Sequence, residues 1–219
     1  MPGQLVVRGL SPRSARNDHT LGQPYAAGVE AEWLTIAQNV LSVPSNWSGG
    51  AVGSGYIYSG HNDSSPANAL AAGADSDGYN GTGNTSPSNQ RRTLTLTNGA
   101  VIWDLAGDAW EWTDGTVAGG QQPGLSGEPG YAWKDWNTAA LIRNGLSASA
   151  LPSYGTPAAN GWTSAQGIGR LYSYVDSAIL RGFVRGGNAG TGSPAGVLAL
   201  DLSTASGSTS ANVGFRVSR

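Results

Sequence analysis

The chain has 219 residues, with 34 glycines, 11 prolines, eight tryptophans and no cysteine, and only 12% of its residues are charged. The absence of cysteine excludes disulfide scaffolds, zinc–thiolate sites, iron–sulfur clusters and cysteine nucleophiles. The net charge of −2 and the lack of any basic block argue against a nucleic-acid partner. No apolar stretch approaches the roughly 18 residues of a transmembrane helix, so we expect no membrane insertion.

Residues 28–42 are predicted to form an amphipathic helix. Four apolar residues recur at helical spacing, namely Val29, Trp33, Ile36 and Val40. Glu30 lies in the first turn, where the helix dipole favours negative charge. Pro44 is expected to end the helix, because proline cannot continue it.

Residues 47–90 are predicted to form a long loop, in which only residues 55–60 look strand-like. Connections of this length usually carry function or pack on themselves. The run from Asp75 to Asn84 is rich in side-chain oxygens, which suits a calcium ion. It lacks the glutamate that closes an EF-hand loop, so a metal-free loop of Asx turns is the alternative.

Residues 93–103 are predicted to form a hairpin, because Asn98-Gly99 separates two apolar runs. A two-residue type I′ turn at this dipeptide would pair Leu96 with Val101 and Leu94 with Trp103. These pairs would then share the apolar face of a sheet that is packed on one side.

The rest of the chain is predicted to hold short strands and loops. Residues 110–113 form a strand, and residues 115–170 are irregular with a short helix after Trp136. Two strands with a period of two close the chain. The first places Leu198, Leu200 and Leu202 opposite Ala199, Asp201 and Ser203, and the second places Val213, Phe215 and Val217 opposite Gly214, Arg216 and Ser218. The fold class is therefore α+β, with short antiparallel strands, one or two helices and long loops.

Residues suited to catalysis are sparse. The two histidines, His19 and His61, have Asp18 and Asp63 close by in sequence, but no G-x-S-x-G motif supports a Ser–His–Asp triad. Loop histidines with local hydrogen bonds are the alternative. Candidate carboxylates for glycoside chemistry are Glu30, Glu32, Glu111 and Glu128, and their spacing does not predict a catalytic pair. Glu111 lies between two tryptophans, where it is either a group of raised pKa or a buried structural carboxylate.

Three segments carry a family resemblance: residues 28–40, 101–115 and 185–216. The D-x-A-G-x-x-W-E-W core and the closing G-F-R resemble the C-type-lectin-like fold of the formylglycine-generating-enzyme (sulfatase-modifying factor) type. Within that superfamily the sequence is most similar to phage and prophage tail proteins and to the variable proteins of diversity-generating retroelements, of the major-tropism-determinant kind. The resemblance implies a C-type-lectin-like domain over residues 28–219. Residues 1–27 do not match the usual first strand and are interpreted as an attachment segment or an altered strand.

The resemblance also implies roles for individual residues. The W-E-W at 110–112, the R-G-G at 185–187 and the G-F-R at 214–216 match scaffold positions. Aligned without gaps, the diversified, ligand-binding positions are Asn188, Gly190, Thr191, Pro194, Asp201, Ser203, Thr204, Ser208, Ser210 and Asn212. The chain departs from the family in having no cysteine, which excludes the oxidation of a substrate cysteine. It also has Asp108 where the family usually has asparagine, in a turn where some relatives bind structural calcium.

The function implied is non-catalytic binding of a receptor, by a phage or prophage host-recognition protein located in the virion tail or at an extracellular surface. Its expected partners are a host-surface protein or glycan and other virion proteins, and a homotrimer follows by analogy with tail tips. No cofactor is required, although structural calcium would be compatible with Asp108 and Glu111.

Two other functions remain as alternatives: a virion structural or decoration protein, and a glycan-processing enzyme. Trp133 and Trp136 also have two interpretations. They are either aromatic anchors for a ligand or residues packed in the core.

Overall fold

The computed structural model describes residues 30–62, 90–142, 146, 161–175 and 177–216. In this part of the chain the structure is mixed α+β, with one α-helix and two sheets. Helix α1 spans Glu30–Leu41. The strands are β1 (Thr93–Thr95), β2 (Val101–Trp103), β3 (Trp110–Val117), β4 (Ala132–Lys134), β5 (Leu171–Ser173), β6 (Arg181–Gly186), β7 (Gly196–Asp201) and β8 (Val213–Phe215).

Helix α1 confirms the helix predicted from the apolar stripe. Trp33 and Val40 are buried, Ile36 is half-buried, and Val29 lies outside the described residues. The buried surface is wider than the stripe, because Leu34, Ala37 and Leu41 are buried as well. A 3₁₀ turn at Pro44–Asn46 follows, as expected where proline ends a helix.

The hairpin is confirmed, but its predicted register is wrong by one residue. Leu94 pairs with Ile102, and Thr95 pairs with Val101. The Leu96 N–H donates to Ala100 O over 2.8 Å, so the loop has three residues and ends on Gly99, which has a φ of +83°. A type I turn with a glycine bulge therefore replaces the two-residue turn. This register buries Leu94 and Ile102 side by side in the core.

The larger sheet has six strands in the order β4-β5-β7-β6-β3-β8. Two of its pairings, β3 with β8 and β5 with β7, are parallel. The predicted short antiparallel strands are thus found in the other pairings, but these two parallel pairings were not predicted. Strands β4, β5 and β6 were not predicted, and the helix expected after Trp136 is a pair of turns instead.

The two faces of this sheet pack differently. The inner face, which includes Leu198, Leu200 and Leu202, joins the buried side of α1 in the main core. The outer face has a second small cluster, in which Trp110, Val184 and Ala199 are buried. The alternation predicted for β7 is thus correct, but the strand is buried on both faces rather than open on one.

A buried ion pair attaches α1 to the inner face of the sheet. The Arg185 guanidinium on β6 is 1% exposed and pairs with the Glu30 carboxylate. Thr113 Oγ1 donates to Glu30 Oε2 over 2.7 Å, and Arg185 Nη1 donates to Leu198 O over 3.3 Å. Glu30 was expected to act on the helix dipole from a solvated first turn, and that interpretation is incomplete because its main partner lies 155 residues away.

Candidate ligand-binding face

The ten predicted ligand-binding positions fall into three groups. Asn188, Gly190, Thr191 and Pro194 lie in the β6–β7 loop. This loop is closed on itself, because the Asn188 N–H donates to Thr191 Oγ1 over 2.8 Å and the Gly190 N–H to Asn188 Oδ1 over 3.0 Å. The Gly192 N–H, within the loop, donates to Asn62 O over 2.7 Å. This first group is therefore held against Asn62.

The second and third groups lie elsewhere on the sheet. Asp201, Ser203 and Thr204 lie at the far end of β7, which is about 17 Å from its start. Ser208, Ser210 and Asn212 belong to the connection that returns to the first end, where Asn212 O accepts a hydrogen bond from the Trp110 N–H. The structure thus spreads the ten positions along the sheet and does not gather them into one cluster.

All ten positions are half-buried or exposed, whereas six apolar residues in and beside β7 are buried. The buried residues are Ala195, Val197, Leu198, Ala199, Leu200 and Leu202. Asp201 lies on the outer face, since its direct neighbours across the sheet are Tyr172 on β5 and Val184 on β6.

A strip of five contiguous aromatic rings lies on the same outer face. We name it the aromatic strip, and its residues in spatial order are Trp110, Trp133, Tyr172, Tyr131 and Tyr174. The successive ring centroids are 6.3, 4.7, 5.6 and 5.8 Å apart. Trp110 is buried, and the other four side chains are half-buried. The strip therefore presents a shallow aromatic surface to solvent.

Strand register and one small residue shape this strip. Trp133 and Tyr172 are direct partners on β4 and β5, so their rings meet on one face. Trp110 and Trp133 stand on strands separated by β5, β7 and β6, yet their indoles stack with planes 7° apart. Ala199 is fully buried in the same outer-face cluster, and its small side chain leaves room for the indoles to meet. A larger residue at Ala199 would fill that space.

The Asp201 carboxylate lies beside the aromatic strip. Its Oδ1 accepts a hydrogen bond of 2.6 Å from the Ser203 N–H. Burial raises the pKa of Asp201, and the hydrogen bonds from Ser203 and the positive charge of Arg181 offset part of that rise. The Arg181 guanidinium lies 5.4 Å from the centroid of the Tyr131 ring. This end of the strip therefore combines one acid, one base and hydroxyl groups.

The structure separates the two tryptophans whose role the sequence left open. Trp133 belongs to the aromatic strip. Trp136 is 1% exposed in the main core, where its Nε1 donates to Leu198 O over 3.2 Å. The sequence analysis did not find Tyr131, Tyr172 or Tyr174. The pairs Tyr131-x-Trp133 and Tyr172-x-Tyr174 were a usable signal, because residues two apart in a strand share a face.

The three scaffold motifs lie on adjacent strands. Glu111 on β3 pairs in register with Arg185 on β6 and with Gly214 on β8. Its carboxylate forms an ion pair with Arg216, whose Nη2 is 2.6 Å from Glu111 Oε1. Burial raises the pKa of Glu111, while Arg216 opposes the rise. Glu111 is thus a buried structural carboxylate, satisfied by a guanidinium rather than by the backbone. Phe215 is 50% exposed, so the apolar side of β8 is not covered as predicted.

The described glutamates do not form a catalytic pair. Glu128 Oε1 is 2.8 Å from Lys134 Nζ on β4, and Glu128 Oε2 accepts the Leu125 N–H. Glu111 is paired with Arg216 instead. Each of these two carboxylates is therefore held by its own cation, and neither is positioned by the other.

Asp104 and Asp108 form an acidic pair in the turn before β3. Both have a left-handed backbone, with φ of +49° and +60°. Arg92 forms a 2.8 Å ion pair with Asp104. Asp108 is exposed as a residue, but its carboxylate is directed at the backbone of Gly60 and is hydrogen-bonded to that of Asp104. Burial of this carboxyl group and the charge of Asp104 raise the pKa of Asp108 to about 8.

The other candidate metal and histidine sites are only partly described. No group of three or more histidine, cysteine, aspartate or glutamate residues is arranged around a metal position in the described ranges. The oxygen-rich run at 75–84, His19 with Asp18, and Asp63 lie outside them. His61 is 7% exposed, and the Asp108 N–H donates to its carbonyl oxygen over 2.8 Å.

We expect Asp108→Asn to remove a pH dependence of stability. The pKa of this carboxyl group is higher in the folded state than its ordinary value of 3.8, so the folded protein binds more protons between about pH 4 and 8. Its stability therefore falls as the pH rises through that range. Because solvent reaches the residue, only part of the shift counts, and Tm at pH 8 should rise by roughly 2–4 °C in the variant.

Thermal unfolding monitored by circular dichroism at pH 4, 6 and 8 measures this effect. Ser126→Ala, an exposed substitution that changes no titratable group, is the control and should change Tm by the same small amount at each pH. A gain in Tm for Asp108→Asn that is equal at all three pH values would contradict the prediction.

Comparison with known proteins adds no assignment. The sequence matches no model of a known protein family, and it matches no curated protein. Within the part of the chain that the structure describes, no helix has the length and apolar character to cross a bilayer.

Proposed function

We propose that this chain is a non-catalytic ligand-binding protein with a C-type-lectin-like fold, acting as the host-recognition protein of a phage or prophage tail. The observation that carries the proposal is the contrast at the C-terminal segment, where all ten predicted ligand-binding positions have access to solvent while six apolar residues in and beside β7 are buried. Such a segment can change its surface residues while its core stays constant. The adjacency of the W-E-W, R-G-G and G-F-R strands also supports the resemblance.

The proposed ligand is a host-surface protein or glycan, and the other partners are virion proteins. The exposed positions Ser208, Ser210 and Asn212 have small polar side chains, which make an adaptable surface. The low charge of the chain disfavours binding driven by electrostatic attraction alone. The separate ion pairs of Glu111 and Glu128 do not favour the glycan-processing alternative.

Adsorption to bacterial cells tests this function. We expect the purified, fluorescently labelled chain to bind a subset of strains in a panel with varied cell surfaces. Substituting Ser208, Ser210 and Asn212 together by arginine should weaken that binding about tenfold or more, because three bulky charged side chains would disrupt the contact surface.

The matched control substitutes Ala31, Thr35 and Ser42 by arginine, which adds the same charge on exposed positions of α1 and of the turn that follows it. This control should bind as the wild type does. Equal binding by both triple variants would remove the C-terminal segment as the binding surface. Adsorption to no strain, together with tight incorporation into virions, would favour the decoration role.

A further inference from the structure

The aromatic strip keeps part of its surface in contact with solvent on the outer face of the sheet. Trp133, Tyr172, Tyr131 and Tyr174 remain half-buried although they are in ring contact with one another. Each of these rings keeps part of its apolar surface in water, and covering that surface with a ligand would be favourable. A ligand with flat apolar faces and polar edges would cover such a surface.

The charged side chains next to the aromatic strip indicate which class of ligand it can bind. The charged side chains next to the strip come in two opposite pairs. Asp201 interacts with Arg181, which lies against the Tyr131 ring. Arg170 donates to Trp133 O over 3.1 Å and lies 3.5 Å from Asp135. Arg181 is already engaged, since its Nε donates to Ser177 Oγ and its Nη1 donates to Ser203 O. Single-stranded nucleic acids also stack on aromatic rings, but they need a positively charged groove, which two arginines that each interact with an aspartate do not supply. An anionic ligand would also be repelled by Asp201.

The hydrogen-bonding capacity of the Asp201 carboxylate also favours a neutral ligand. A carboxylate can accept about four hydrogen bonds. Asp201 accepts hydrogen bonds from the N–H and from the hydroxyl group of Ser203. The remaining positions can accept hydrogen bonds from hydroxyl groups. A neutral ligand with hydroxyl donors at its edges and flat C–H faces therefore complements both the rings and the acid.

We propose that the aromatic strip binds a neutral glycan, with sugar rings stacked on Trp133 and Tyr172 and hydroxyl groups donating to Asp201. This inference rests on the proposed binding function and names the class of its ligand. In this proposal the main contact surface is the outer face of β4, β5 and β7, whereas the sequence predicted it at the ten positions of the C-terminal segment.

Affinity electrophoresis of the full chain tests the proposal. The gels contain a soluble α-glucan, β-glucan, mannan or galactan, with polygalacturonate as the acidic comparison and oligothymidylate as the nucleic-acid comparison. We expect at least one neutral polysaccharide to retard the protein and to change its tryptophan fluorescence. Trp133→Ala and Tyr172→Ala should each weaken that binding about tenfold, as loss of a central aromatic anchor does.

Two controls separate binding from folding. Tyr56→Ala removes a half-buried tyrosine that contacts Tyr58, in a segment remote in sequence from the strip, and should leave binding unchanged. Trp133→Phe keeps an aromatic ring and should retain more affinity than Trp133→Ala. Circular dichroism establishes that each variant is folded before its binding is compared.

The outcomes distinguish this inference from the proposed function. Cell adsorption that survives both Trp133→Ala and periodate oxidation of the cell-surface glycans would overturn the glycan and leave the receptor-binding function standing. Adsorption to cells without retardation by any neutral polysaccharide would do the same, as would retardation by polygalacturonate or oligothymidylate alone. Adsorption to no cells would overturn the proposed function itself.

Discussion

Substituting Arg185 by methionine is expected to lower the free energy of unfolding by about 3–5 kcal/mol. The Arg185 guanidinium is 1% exposed and the Glu30 side chain is 12% exposed, so the substitution leaves a carboxylate inside the protein without its cation. The remaining donor, Thr113 Oγ1, is neutral and cannot replace the lost charge. Urea denaturation of the wild type and the variant measures the change.

A double substitution tests the physical reason for that loss. In the variant Glu30→Leu with Arg185→Met the uncompensated charge is absent, and we expect most of the stability to return. Arg170→Met is the exposed comparison, because Arg170 and Asp135 lie 3.5 Å apart with 27% and 26% of their side chains exposed. That substitution should cost about 1 kcal/mol or less. A loss below 1 kcal/mol for Arg185→Met would show that the pair does not anchor α1.

Substituting Trp136 by alanine is also expected to cost about 3–5 kcal/mol. The indole is 1% exposed in the main core, and its Nε1 donates to Leu198 O. Removing it would leave a large cavity next to β7 and one donor fewer for the Leu198 carbonyl group. Thermal unfolding followed by circular dichroism measures the loss.

The companion variants distinguish a core residue from a ligand anchor. Trp136→Phe keeps a six-membered ring but loses the rest of the indole and the hydrogen bond, so it should cost about 2 kcal/mol, less than Trp136→Ala. Trp133→Ala should be less destabilising than Trp136→Ala, because Trp133 is only half-buried. If Trp136→Ala folded with nearly wild-type stability but no longer bound ligand, Trp136 would be the anchor and its role in the core would be refuted.

Sequence reasoning succeeded where the signal is local. The apolar stripe of α1, the Asn98-Gly99 turn and the alternation in β7 all depend on neighbours within about ten residues, and the structure confirms each element. The prediction of the hairpin register was wrong. Asn98-Gly99 is compatible with a two-residue loop and also with a three-residue loop that ends on Gly99, and the second places Leu94 opposite Ile102. Burial of that pair in the core selects between the two registers.

The candidate site was harder to predict than the elements that carry it. The sequence identified Asp201 on the face opposite the leucines and named Trp133 as one of two possible aromatic anchors. It did not find the tyrosines, since Tyr131 and Tyr172 become neighbours only through the pairing of β4 with β5. Nor did it predict that Trp110 would reach Trp133, which depends on the arrangement of strands between them and on the space above Ala199.

The sequence by itself determined the α+β class, the helix, the turn-rich composition and the absence of any cysteine chemistry, because periodicity and residue type are sufficient for these. Only the tertiary structure decided the strand order, the burial of Glu30 against Arg185, and which tryptophan is core and which belongs to the aromatic strip. These features depend on contacts between residues far apart in the chain, such as Glu30 and Arg185, or Trp110 and Trp133. Local propensity does not determine such pairings, since they form only when strands from separate segments pack into one sheet.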